Sequence, residues 1–145
     1  MPPVESHRDI IRAGVSAFAS ASTRHLIWRV LEKTQDWPDN NTLSVGGDLV
    51  MPFDGNILDI EADVDTAGVG GVPVIDVNKN GATIMTTDKL KWDSAEKSTR
   101  NYSGNAPGLT TVSFVKGDII TLDVDTNSTT TRAKGLSLYL SVGQV

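Results

Sequence analysis

Two histidines, a short Asp/Asn-rich loop, a stripe of carboxylates and five large ring side chains are the groups here whose types and spacing could do chemistry. A Ser-His-Asp hydrolase would need its base from His7 or His25, since the chain has no other histidine. No Gly-x-Ser-x-Gly elbow accompanies either one. Both are therefore expected at a surface or an interface, and the chain is not expected to be an enzyme. Asp76-Val77-Asn78-Lys79-Asn80-Gly81 matches the first half of a calcium loop, Asp-x-Asn-x-Asn-Gly. The twelfth position, which should be a bidentate Glu, is Thr87, and the flanks read as strands rather than helices. The same residues make a hairpin turn, because Asn and Gly tolerate positive φ, and the turn is the expected outcome. Asp59, Glu61, Asp63 and Asp65 alternate with apolar residues and read as the solvated face of a strand; no metal or cofactor is expected. Trp28, Trp37, Trp92, Tyr102 and Tyr139 could serve as stacking platforms for a sugar. Trp28 is expected in the core. Trp92 and Tyr102, with the polar loop 94–108, make the candidate peripheral ligand surface.

Positioning such groups falls to an all-β frame. Ile57 to Asp65 alternates strictly, with Leu58, Ile60, Ala62 and Val64 on one face. That is period two, so these four are expected inward and the carboxylates outward. Leu136, Leu138, Leu140 and Val142 repeat the pattern near the end, with Ser137, Tyr139 and Ser141 outward. Further strands are expected at Leu49–Phe53 (edge or bulge, because of Pro52), Val72–Val77, Ala82–Thr86, Leu90–Trp92, Leu109–Val115 and Gly117–Asp125. His25 to Glu32 is rich in β-branched and aromatic residues and reads as a strand, with a helix as the alternative. Asp63-Val64-Asp65-Thr66 recurs as Asp123-Val124-Asp125-Thr126, as two antiparallel strands in matching positions would explain. About eight strands separated by regular turns predict an antiparallel β-sandwich or jelly roll.

With 145 residues and no cysteine, the chain fits one domain with a core of its own and no disulfide framework. The expected division is an arm over 1–23 and a sandwich over 24–145. The arm is rich in Ala and Ser, and its large apolar residues Ile10, Ile11, Val15 and Phe18 are irregularly spaced. It reads either as a short helix over 7–13, capped by Ser6, or as an extended segment that orders on a partner. The net charge is −5. Residues 1–33 carry five cations (Arg8, Arg12, Arg24, Arg29, Lys33) against three anions (Glu5, Asp9, Glu32), a balance of +2, leaving −7 on the rest. A basic arm on an acidic body suits docking onto an acidic neighbour, and the overall charge disfavours nucleic acid. No apolar run is long enough to span a membrane and no signal-peptide pattern opens the chain, so synthesis in the cytoplasm is expected.

The run Pro52-Phe53-Asp54-Gly55-Asn56-Ile57, the stretch Asp63-Val64-Asp65-Thr66-Ala67-Gly68, the loop Asp76 to Gly81, Gly117-Asp118-Ile119-Ile120 through Asp125, and Ala133-Lys134-Gly135-Leu136 together resemble small structural proteins of tailed bacteriophages. Those are β-sandwich or jelly-roll virion proteins, among them capsid decoration (cement) proteins and head or tail fibre domains. The similarity covers 52–142 and leaves 1–51 outside it. It implies a decoration protein on the outer head surface, commonly trimeric, that binds the major capsid protein and bridges its subunits. The arm contact would then fall to Arg8, Ile10, Ile11, Arg12, Val15 and Phe18. The alternative is a tail fibre, baseplate or receptor-binding domain that meets a host glycan near Trp92 and Tyr102.

Overall fold

Leu136, Leu138, Leu140 and Val142 are all buried, while Tyr139 and Ser141 between them stay partly open. Strand alternation thus sets the inner layer of a two-sheet sandwich in the computed structural model, which describes residues 23–110 and 112–145. Among these residues nine strands follow in order: β1 (Thr23–Asp36), β2 (Leu49–Val50), β3 (Gly55–Asp63), β4 (Val74–Lys79), β5 (Ala82–Thr83), β6 (Leu90–Lys91), β7 (Ser113–Phe114), β8 (Ile119–Thr126) and β9 (Lys134–Gln144). All pairings are antiparallel. One sheet has the order β1-β9-β3-β7 and the other β2-β8-β4-β5, with β6 also on β4. Their inner faces share one core, in which Ile60, Ala62, Leu138 and Leu140 of the first sheet join Ile75, Val77, Leu122 and Val124 of the second. Each such Val, Leu or Ile side chain contributes roughly 1.5–3 kcal/mol by leaving water. No helix among the described residues is long and apolar enough to cross a membrane. The arm up to residue 22, with its candidate contacts Arg8, Ile10, Ile11, Arg12, Val15 and Phe18, lies outside the described residues, and Thr23 belongs to β1.

The hairpin expected at Asn78–Gly81 forms between β4 and β5. Asn80 and Gly81 both take positive φ, 50° and 89°, as a two-residue mirror-image turn requires. The segment at His25 to Glu32 is a strand, and β1 runs well past it in both directions.

Several strands differ from expectation. In β3 a bulge between Ile57 and Asp59 shifts the register against β9. Ile57 goes inside and Leu58, expected inward, is left 57% exposed. A bulge places two residues opposite one, which breaks period two at that point. Trp28 is half-buried against the core margin rather than inside it. β2 stops at Val50, ahead of Pro52, which has no N–H for a ladder. The stretch expected as Leu109–Val115 is a strand only at Ser113–Phe114, with Leu109 bridging Met85.

The sheet edges are unequal. Among the described residues, the outermost strands β7, β2 and β5 are two residues each, but β1 is fourteen residues long. Its ladder with β9 is unbroken from Thr23 to Arg29 and irregular beyond. The 44–47 loop closes over Val30, where a Cβ on Gly46 would sit 2.7 Å from Val30 Cγ1.

An acidic clasp ties the β7–β8 turn to the β4–β5 turn. Asp118 accepts the Val115 N–H at 2.9 Å and Asn80 Nδ2 at 3.0 Å, with Lys79 Nζ at 4.0 Å. These donors hold its carboxyl below the usual value, the backbone N–H most of all. A carboxyl depressed in the folded state adds stability that is complete above the unfolded value of 3.8 and vanishes as pH falls through the folded one. Asp118→Asn therefore removes that contribution at neutral pH and leaves nothing to lose in acid. The gap between wild type and variant in urea midpoint should narrow from about pH 5 to about pH 2. A constant gap across that range would mean the clasp is not ionic.

Candidate functional site

The long polar segment after β6 is anchored before it forms any site. Lys97 O accepts the Val64 N–H at 2.8 Å and Trp92 Nε1–H at 3.1 Å. Ala62 N–H donates to Thr99 Oγ1 at 3.0 Å, and Ser98 bridges Asp63. The segment so covers the edge of β3 that β7 leaves open. Ser98 then accepts the Arg100 N–H at 3.2 Å and starts a single 3-10 turn, Thr99–Asn101.

That turn aims Arg100 across the outer face of β3. Its guanidinium donates to Glu61 Oε1 at 2.7 Å and to both oxygens of Asp63 at 3.1 and 3.2 Å. The two carboxylates, Glu61 first, push the guanidinium pKa further up. Two carboxylates of the stripe are thus held by Arg100, and Asp65 pairs with Arg29 Nη1 at 2.7 Å. Lys89 reaches Asp125 at 2.7 Å and Asp76 at 3.4 Å, and the Asp125 bond chiefly raises its pKa. Asp76 also accepts the Thr83 hydroxyl at 2.5 Å. The calcium-loop resemblance is thereby accounted for: Asp76 serves a lysine and a threonine, and Asn78 donates to Asp123 at 2.9 Å.

Between β3 and residues 104–107 lies a cleft of about 160 Å³, lined by Asp59, Glu61, Lys89, Lys91, Arg100 and Tyr102 among others. Tyr102 lines this cleft. Lys91 Nζ sits over its ring, 5.9 Å from the centroid. Trp92 does not join it. Its side chain is 1% exposed and packs edge-to-face on Trp37, ring centroids 5.2 Å apart. Period two explains the split: Lys91 faces out, so Trp92 faces in. Trp92 is a core residue, and the ligand surface expected of the pair reduces to Tyr102 and the charged cleft. A second, more open depression of about 420 Å³ lies at the 39–40 and 127–132 turns, where Arg132 pairs with Asp39 and Asn127 Nδ2 donates to Pro38 O at 2.7 Å.

His25 does meet a serine. Ser141 Oγ lies 3.2 Å from His25 Nδ1 in neighbouring strands, and Asp59 faces Ser141 from the other side. A triad needs the histidine between serine and carboxylate, so that the acid orients the base. Here the serine is in the middle and the pair is exposed, which gives no activated nucleophile.

Arg100 and Lys89 were not legible as site residues. Their partners lie 37–39 and 36 positions away for the closest bonds, and no local pattern signals such pairs. Fold and surface together define an all-β sandwich whose outer face is laced with ion pairs. No protein-family model, no curated protein and no solved structure matches the chain.

Proposed function

We propose that the protein is a non-enzymatic virion component that decorates the outer surface of a phage head, binds the major capsid protein and bridges its subunits through residues 1–23. One observation carries the reading most. The segment before β1 leads directly into the long edge strand of the sandwich, at a corner where Arg24, His25 and Ile27 are exposed, Ile27 at 67%. An arm leaving there can reach a neighbour without disturbing the core, and a mixed apolar and cationic root suits an acidic, partly apolar groove. The sequence resemblance over 52–142 supports the same reading. Linked copies would gain avidity from many weak contacts, and a trimer is the assembly expected.

Removing residues 1–20 should abolish co-sedimentation with expanded heads of the cognate phage while the circular dichroism of the sandwich is kept. Unchanged binding by the truncated protein would overturn the assignment to the arm. Tyr102 in its charged cleft favours the second reading, a tail fibre or receptor-binding domain that contacts a glycan. Copy number per particle separates the two: hundreds for head decoration, a dozen or fewer for a tail part.

A further inference from the structure

The cleft beside Tyr102 has two unlike sides. The segment after the 3-10 turn brings Tyr102, Ala106 and Pro107, which present a ring and aliphatic carbon. β3 brings Asp59 and Glu61, with Arg100 laid across it. Both sides are fixed in advance. Tyr102 N–H donates to Thr99 O at 3.2 Å, and Ser103 donates to Asp93 through its N–H at 2.8 Å and its hydroxyl at 3.0 Å. At the far end Gly108 N–H donates to Asp88 O at 2.8 Å, directly after Pro107, whose ring sets its own φ. Groups that are already ordered lose little freedom when a ligand arrives.

Gly104 belongs to the same arrangement. A Cβ there would lie 2.5 Å from Tyr102 Cε2 and 2.8 Å from its Cζ and Oη. Gly104 is not among the glycines with positive φ, so its backbone does not call for glycine. What calls for it is the room taken by the Tyr102 ring.

Charge narrows the ligand. Each cation lining the cleft has a carboxylate within 4 Å: Glu61 and Asp63 for Arg100, Asp125 and Asp76 for Lys89, Asp88 for Lys91. With Asp59, six carboxylates stand around three cations. An anion would compete with carboxylates already in place and enter a negative field. A cation would crowd Arg100 and the two lysines, whose heads already meet those carboxylates. A neutral, hydroxyl-rich ligand breaks no ion pair. Arg100 has five N–H donors, of which Glu61 and Asp63 take at most three, and each carboxylate oxygen can accept more than one bond. Bonds from hydroxyls to such charged groups are stronger than neutral ones. A sugar ring has both halves of the match, C–H groups for Tyr102 and Pro107 and a hydroxyl rim for Glu61 and Arg100. The volume, about 160 Å³, is well below the roughly 300–1,000 Å³ of drug-sized pockets, which suits one ring rather than several.

We infer that this cleft binds one neutral sugar ring, with Tyr102 as its apolar wall, Glu61 and Arg100 as its hydrogen-bonding groups and Gly104 as the residue that positions the Tyr102 ring. The inference rests on the glycan reading of Tyr102 and narrows it to one site and one sugar class. It does not involve residues 1–23.

The test is saturation-transfer NMR on the full chain with the methyl glycosides of glucose, galactose, mannose and N-acetylglucosamine. Saturable binding of at least one is expected, with a Kd of roughly 1 mM. Tyr102→Ala and Gly104→Ala should each weaken it about tenfold or more, with urea midpoints close to wild type. Lys116→Ala, on the exposed β7–β8 turn, should leave it unchanged. No binding by any of the four glycosides would overturn the inference. So would binding indifferent to both cleft variants, or tighter binding of glucuronate, glucosamine or inorganic phosphate. The glycan reading itself is checked apart, by adsorption of the wild-type chain to host cells. Adsorption that both cleft variants keep would overturn this cleft and leave that reading standing, whereas a chain that binds a glycoside but no cells would do the reverse.

Discussion

Trp37→Ala is expected to lower the free energy of unfolding by roughly 3–5 kcal/mol, a large share of the 5–15 kcal/mol typical of a domain. Trp37 is 1% exposed, directly after β1 and beside the start of β9. Its Nε1–H donates to Gly135 O at 2.9 Å, and its ring meets Trp92 edge-on at an interplanar angle of 81°. Its own N–H donates to Ala133 O at 3.1 Å, and its carbonyl accepts Arg132 Nη1 at 2.8 Å. Truncation at Cβ leaves a cavity between the sheets and orphans the Gly135 carbonyl. Trp37→Phe separates the two effects. It keeps most of the ring, so its cost should fall to about 1–3 kcal/mol, chiefly the unpaired carbonyl. Urea unfolding followed by far-UV circular dichroism measures both. An alanine variant within about 1 kcal/mol of wild type would show that the two tryptophans do not join the sheets as described.

The second large effect belongs to neighbouring glycines that look alike in sequence. Gly46 has φ +75° and Gly47 φ +84°, so alanine is strained at either, by about 1–2 kcal/mol. At Gly47 nothing lies within 4 Å of an added Cβ. At Gly46 the Cβ would strike the Val30 carbonyl oxygen, with the Val30 carbonyl carbon at 3.0 Å and Cγ1 at 2.7 Å. The Val30 carbonyl is backbone within β1, at the register shift between Arg29 and Leu31, and yields less readily than a side-chain tip. Gly47→Ala should thus cost only the strain, and Gly46→Ala about 3 kcal/mol or more. The loop matters because Val45, just before them, is buried and its N–H donates to Leu122 O at 2.7 Å, which fastens the loop to β8. Equal losses at the two positions would mean that the loop does not close on Val30.

Both expectations rest on tertiary contacts, and so does most of the cleft. Tyr102 was legible as a surface aromatic in a polar loop. Trp92 was placed with it because it stands just ahead of that loop, but the alternation carried on from β6 turned Trp92 inward. The carboxylates of β3 were legible as an outward stripe. Their partner was not, because Arg100 reaches them only after Ser98 and Thr99 dock on β3. Leu58 failed for a related reason. A bulge is decided by how β3 fits β9 across a sheet, and nothing in its own alternation foretells the extra residue.

What the sequence by itself determined is the all-β class, the inner face of β9 and the Asn80-Gly81 hairpin. Side-chain alternation and turn chemistry act over two to four residues, so their physical causes are local. Only the tertiary structure decided which carboxylates are neutralised, which tryptophan is buried and where β3 bulges against β9. Those depend on strands far apart in the chain arriving side by side, in a register that no single strand carries.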